Sequence, residues 1–137
     1  IYNYPKGKKF VDKFAAKYKS YPSTSAASAY TILYQYKSAV ERAGTFETKA
    51  VISTLEGHKF TSLKDEQIWR ALDHQAIETV YAVKGKPQSK VLKSKFKQDY
   101  FEIMKEMKGK KAARSELRWK RTREAAGKPI ALDWSSS

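Results

Sequence analysis

Apolar residues recur along the first half of the chain with a helical period. Between Lys9 and Lys19, Phe10, Phe14 and Tyr18 return at i, i+4 and i+8, with Val11 and Ala15 beside them and lysines filling the opposite face. This predicts an amphipathic helix, broken at Tyr21-Pro22-Ser23 because the residue before proline is pushed out of the helical region. A second helix is predicted over Ser25–Ala43, with Ala26, Ala29, Tyr30, Leu33, Tyr36 or Lys37, Val40 and Ala43 on one stripe. Gly44 stands where a left-handed C-terminal residue belongs. Thr45 is placed to cap a short third helix, with Glu47 in its first turn, Val51, Ile52 and Leu55 as its apolar stripe, and Gly57 ending it.

The period then changes. Gln67–Leu72 and Ile77–Val83 are rich in β-branched and aromatic residues, and Ile77, Thr79, Tyr81 and Val83 alternate with their neighbours, which predicts strands. Gly85–Ser89 reads as a loop. Asp99–Met104 fits a strand or the start of a helix. Ala112–Ala126 is charged and helical, stopped by Gly127 and Pro129, and Ser135–Ser137 reads as a frayed end. No internal repeat is visible. Three or four helices with two or three strands are too few for a complete sheet, so the expectation is an incomplete, helix-rich α/β piece whose sheets need strands from elsewhere.

Composition narrows this. At 137 residues and 41% apolar, the chain suits one domain or part of a larger one. No apolar run approaches the ~20 residues that span a bilayer. There is no cysteine, which excludes disulfides, thiolate nucleophiles and Cys-ligated zinc; His58 and His74 are too few for a His-based metal site. No cofactor is expected. The chain starts at Ile1 without Met and without a signal-peptide pattern, so residue 1 is read as an internal position of a longer precursor.

The net charge of +14 is uneven. Residues 84–128 carry +11 and residues 1–20 carry +5, while 21–83 and 129–137 each come to −1. A basic tail follows a balanced middle, and such a field attracts anionic surfaces without naming a partner.

Residues 10–84 carry a resemblance. Phe10-Val11-Asp12-Lys13-Phe14-Ala15-Ala16-Lys17-Tyr18 with Tyr21-Pro22 forms the first segment. Ala26-Ala27-Ser28-Ala29-Tyr30 with Ala39-Val40-Glu41-Arg42-Ala43-Gly44-Thr45 forms the second. Ala50-Val51-Ile52-Ser53-Thr54-Leu55-Glu56-Gly57 with Leu72-Asp73-His74-Gln75 forms the third. In this order and spacing they resemble the type I periplasmic solute-binding proteins of ABC transporters, in the leucine/isoleucine/valine-binding branch, over roughly residues 1–105. The resemblance fades in the basic helical tail, 106–137.

It implies a C-terminal segment of a parent with two Rossmann-like lobes joined by hinge strands. The implied function is to bind a small solute, such as a branched-chain amino acid or amide, and deliver it to a membrane permease. The setting would be periplasmic or extracellular, with a lipid anchor as one option for the parent. The chain is far too short for both lobes, the acidic and hydroxyl groups that hold the ligand in relatives would lie upstream of Ile1, and Thr31 stands where many relatives have Asp. A fragment lacking sheet partners exposes strand edges, so a dimer of the fragment is a further expectation.

Individual residues support plainer readings. Asp73-His74 has no third partner or nucleophile nearby and is read as a turn or hinge element rather than an acid–base pair. Tyr2, Tyr4, Tyr30, Asp73, His74 and Gln75 are the cleft or hinge candidates, with Tyr30 favoured as core packing. His58 is read as a loop residue. Lys108, Lys110, Lys111, Arg114, Arg118, Lys120, Arg121 and Arg123 with Trp119 form a basic cluster. Phosphate contact through residues 105–123, with Trp119 stacking on a base, is the alternative function. A solvated helix face with Trp119 packed back on the domain is preferred, because no nucleic-acid module accompanies the cluster.

Overall fold

The computed structural model describes residues 1–132, so the expected frayed end at Ser135–Ser137 lies outside the described residues. Helix α1 runs Pro5–Tyr18 and starts earlier than the periodicity indicates. Residues 6–9 are polar or glycine and give no apolar signal, whereas Pro5 has the fixed φ and missing N–H that suit a first helical position. Lys19 closes it in the left-handed region (φ 54°), its N–H bonded to Ala15 O at 3.0 Å. The buried stripe is Gly7, Val11 and Ala15. The aromatic row beside it is only partly covered, and Tyr18 is exposed.

Helix α2, Thr24–Ala43, is capped by Ser23, whose hydroxyl accepts from Ala26 N at 3.1 Å, and closed by Gly44 at φ 67°. The expected apolar stripe is not the buried one. Gln35 and Ala39 are buried, while Leu33 is 69% exposed and Tyr30, Tyr36 and Ala29 face solvent. Helix α3, Thr48–Leu55, packs at Ala39: Thr54 Oγ1 donates to Ala39 O at 3.2 Å and Arg42 Nη2 to Thr54 O at 2.8 Å. The small Ala39 side chain lets the two backbones approach, and the larger stripe is left facing outward. The α3 cap is Glu47, not Thr45. Its carboxylate accepts from Lys49 N (3.0 Å) and Ala50 N (2.7 Å), and these bonds hold its pKa below the usual range. Thr45 Oγ1 instead accepts from Glu47 N.

Gly57 (φ 72°) turns the chain into a three-stranded antiparallel sheet of β1 (Lys59–Thr61), β2 (Glu66–Trp69) and β3 (Ala76–Ile77), in that order. Phe60 pairs with Gln67 and Ile68 with Ile77. The strand expected over Ile77–Val83 is two strands. At Thr79 the chain leaves the sheet, and the Thr79 side chain is anchored to Asp65 Oδ2 at 2.6 Å while Lys64 Nζ donates to Thr79 O. Strand β4 (Val80–Gly85) then pairs antiparallel with β5 (Phe101–Met107), with a bulge between Ala82 and Val83. The expected 85–89 loop is shorter, because α4 (Gln88–Val91) begins within it.

All of β5 is exposed, and Tyr81 is the one half-buried residue of β4. Among the described residues no third strand joins this ribbon. The tail helix is interrupted: α5 (Gly109–Ala112) and α6 (Glu116–Ala125) flank an extended stretch at Ala113, and Ser115 caps α6 by accepting from Arg118 N. Gly127 at φ 61° follows the end of α6.

Candidate functional site

Two grooves border α2 and meet at Leu63. The first, about 490 Å³, lies between the N-terminal half of α2 and the inner face of the three-stranded sheet. Alternation along β2 turns Gln67 and Trp69 to the same side, and Phe60 of β1 stacks on Trp69 with ring centroids 5.7 Å apart. Ala27, Ser28 and Thr31 form the opposing wall.

The polar groups around this groove are mostly paired. Thr31 Oγ1 and Ser62 Oγ share a 3.2 Å bond, Lys64 and Glu78 form an ion pair at 2.8 Å, and Tyr81 OH meets Tyr4 OH at 2.7 Å. Trp69 Nε1 is different: it is buried with no hydrogen-bond partner among the described residues. An indole N–H left dry costs free energy until an acceptor reaches it. The groove therefore offers an apolar floor and hydroxyls on one rim, which are elements of a small-molecule half-site.

The second groove, about 750 Å³, runs between α1 and α2. Phe10, Phe14, Tyr18, Tyr30 and Tyr34 form its floor and Lys6, Lys9, Lys13 and Lys17 its edge.

The sequence-level candidates fall in several places. Tyr4 touches the first groove through Tyr81. Tyr2 is exposed, and its hydroxyl donates to Asp12 at 3.4 Å. Tyr30, expected in the core, is 37% exposed and packs against Phe10 and Tyr34 in the second groove.

Asp73, His74 and Gln75 form the turn between β2 and β3 and line neither groove. Arg70 Nε donates to Asp73 Oδ1 at 2.7 Å, Arg70 Nη2 to Gln75 Oε1 at 3.0 Å, and Arg70 N to Gln75 O at 3.0 Å. The guanidinium holds the Asp73 carboxyl below its ordinary range against the opposing effect of burial. His74 sits at φ 53° and its Nε2 lies 2.6 Å from Glu56 Oε1. His58 stacks on Phe60 at the start of β1; burial, then Arg42, push its pKa down.

In the basic tail, Lys110 and Lys111 belong to α5, Arg118, Lys120 and Arg121 to α6, and Arg114 lies between. Trp119 is already engaged. Its Nε1 donates to Ile130 O at 2.9 Å, and the Arg114 and Arg123 guanidinia sit over its ring at 5.6 and 5.3 Å. It packs within the tail, contrary to the expectation that it folds back on the domain, and its ring is covered by cations where a base would stack.

Sequence reasoning missed Trp69 and Gln67 as groove residues. Their i, i+2 spacing next to Phe60 was the available signal, but β1 was not recognised, so the facing surface had no partner strand.

Known structures share the fold of this chain. The family model described as periplasmic binding protein matches residues 2–90. A periplasmic binding protein from Burkholderia mallei superposes with TM-score 0.74 at 23% identity, covering 86% of this chain and 31% of its own. A branched-chain amino acid ABC transporter periplasmic ligand-binding protein from Burkholderia xenovorans LB400 gives 0.71 at 21%, covering 83% and 30%. An ABC-type branched-chain amino acid transporter from Rhodopseudomonas palustris gives 0.65 at 22%, covering 79% and 28%. This chain thus spans less than a third of the length of these structures. No curated protein matches it.

Proposed function

This chain belongs to the periplasmic binding protein family, and from that membership we propose that it is one portion of the solute-binding component of an ABC-type import system. The observation that carries the reading is the family match over residues 2–90, which spans all three helices of the first half and the whole three-stranded sheet. It is a binding component and not an enzyme.

The solute is a branched-chain amino acid or a related amide, held between the groove of Trp69 and a second lobe outside this chain. Closure follows because each lobe carries part of the ligand, so binding raises the population of the closed form. The partner is a membrane permease and the compartment is the periplasm. The exposed β4–β5 ribbon fits a hinge pair that runs toward the second lobe. The apolar floor of Phe60 and Trp69, with Ser28 and Thr31 on the facing wall, supports the groove as solute-facing.

Isothermal titration of a two-lobe protein containing this chain, with leucine, isoleucine, valine and their amides, tests this. Saturable binding of one of these solutes is expected. Absence of binding across the set, together with tight, steeply salt-dependent binding of duplex DNA, would transfer the function to the basic tail.

A further inference from the structure

Only Glu78 and Thr79 link β3 to β4, and the β1–β2 connection grips both. Lys64 Nζ pairs with Glu78 Oε2 at 2.8 Å and donates to Thr79 O at 3.3 Å. Its neighbour Asp65 accepts the Thr79 hydroxyl at Oδ2, 2.6 Å away. Thr79 is 2% exposed, so this bond forms away from water, where it is stronger. The same Oδ2 faces Lys108 Nζ at 3.4 Å, on the residue that follows the end of β5. One carboxylate oxygen thus holds the strand that leaves the sheet and the strand that returns to it, where Val80 pairs with Met107.

Shape closes the same joint. Gly109 begins α5 against β3, and a Cβ there would lie 2.9 Å from Ile77 Cγ2 and 3.0 Å from Glu78 N. The ribbon is therefore fixed at its root, on both strands, by contacts made within this chain. Its register changes further out: Ala82 pairs with Lys105 and Val83 with Ile103, so that Met104 stands between pairs. A bulge of this kind bends and twists a strand pair locally. Tyr81 lies between the root and the bulge and lines the Trp69 groove, so the root also sets where the Tyr81 ring stands.

We propose that Asp65 is a positioning residue that fixes the ribbon root to the sheet, so that movement of the second lobe is taken up beyond Tyr81, at the Met104 bulge; this rests on reading the chain as one portion of a two-lobe solute-binding protein. The test uses that two-lobe protein, with one fluorophore in each lobe for single-molecule energy transfer and with leucine, isoleucine and valine titrated calorimetrically. Asp65→Ala should widen the inter-lobe distance distribution of the solute-free protein. It should also weaken solute binding roughly threefold or more, because a looser root lowers the population of the competent arrangement. Asp65→Asn, whose amide oxygen still accepts from Thr79, should recover most of the narrow distribution. Thr79→Val should reproduce Asp65→Ala, and the two together should widen the distribution no further. Glu47→Ala removes the α3 cap, so it should lower the thermal midpoint and leave the distribution as it was, which separates positioning from lost stability. If Asp65→Ala does not fold, Thr79→Val decides alone. The proposal falls if the Asp65→Ala and Thr79→Val distributions match that of Glu47→Ala, or if Asp65→Asn widens it as much as Asp65→Ala. If the distribution widens while neither the unaltered protein nor any variant binds these solutes, the solute assignment fails and the positioning role stands.

Discussion

The phenol oxygens of Tyr4 and Tyr81 lie 2.7 Å apart across 77 residues of sequence and tie the chain ahead of α1 to the start of β4. Burial, followed by the bond to Tyr4, pushes the Tyr81 phenol above its ordinary pKa. Tyr81 is also where the ribbon meets the Trp69 groove, so the bond fixes the one ribbon residue that reaches the candidate site. Tyr4→Phe leaves the Tyr81 hydroxyl without its partner and should cost ~1 kcal/mol, a fall of roughly 4 °C in thermal midpoint. A double-mutant cycle with Tyr81→Phe checks it. Additive losses would mean that the two hydroxyls do not depend on each other.

The turn at Asp73 sets an acid limit on stability. Asp73 is held below its ordinary pKa first by the Arg70 hydrogen bonds, and its side chain is 4% exposed. A carboxyl whose folded pKa is depressed contributes stability that is fully present above its unfolded pKa of ~3.9 and is lost as pH falls through the folded value. Thermal midpoints should therefore hold steady down to about pH 4.5 and then decline. Arg70→Met should flatten this acid limb while costing about 3 kcal/mol near neutrality, since it leaves a largely buried carboxylate unpaired. An unchanged acid limb in that variant would place the proton uptake elsewhere.

Glycine at position 7 is required by space. A Cβ there would lie 2.1 Å from Ile1 O and 2.4 Å from Leu63 O, both backbone atoms that cannot swing aside. Gly7→Ala gains helix propensity of up to ~1 kcal/mol but must push α1 off the β1–β2 connection. A net loss of about 2 kcal/mol or more in denaturant unfolding is expected. A stabilised variant would show that α1 sits less closely on Leu63 than described.

The helices were legible in the sequence from their apolar period and, for α2, from Gly44 at its end. Their starts at Pro5 and Ser23 were not, because residues 6–9 carry no apolar signal and Ser23 read as part of the Tyr21-Pro22-Ser23 break. The buried face of α2 was not legible. Hydropathy selects Tyr30, Leu33 and Tyr36, whereas packing against α3 selects Ala39, whose small side chain permits close approach, and Gln35 is buried on the side facing α1. Strand β1 escaped for a related reason, since three residues of Lys-Phe-Thr carry too little alternation to stand out. The Asp73–Gln75 segment was identified as a turn from its residue types. That Arg70 organises it was hidden, because nothing in the spacing says which cation closes a loop.

Trp69 gives the sharpest test of the proposed solute site. Trp69→Phe keeps most of the ring that stacks on Phe60 and removes only the buried N–H that has no partner. In the solute-free protein the change should be neutral or slightly stabilising, because an unsatisfied donor is deleted along with its desolvation cost. In the two-lobe protein it should weaken solute binding about tenfold, the ~1.4 kcal/mol worth of one hydrogen bond to a charged or strongly polar acceptor. The two measurements move in opposite directions when the indole meets the solute. If thermal stability falls while affinity is unchanged, Trp69 is a packing residue, and the solute is held by other groups.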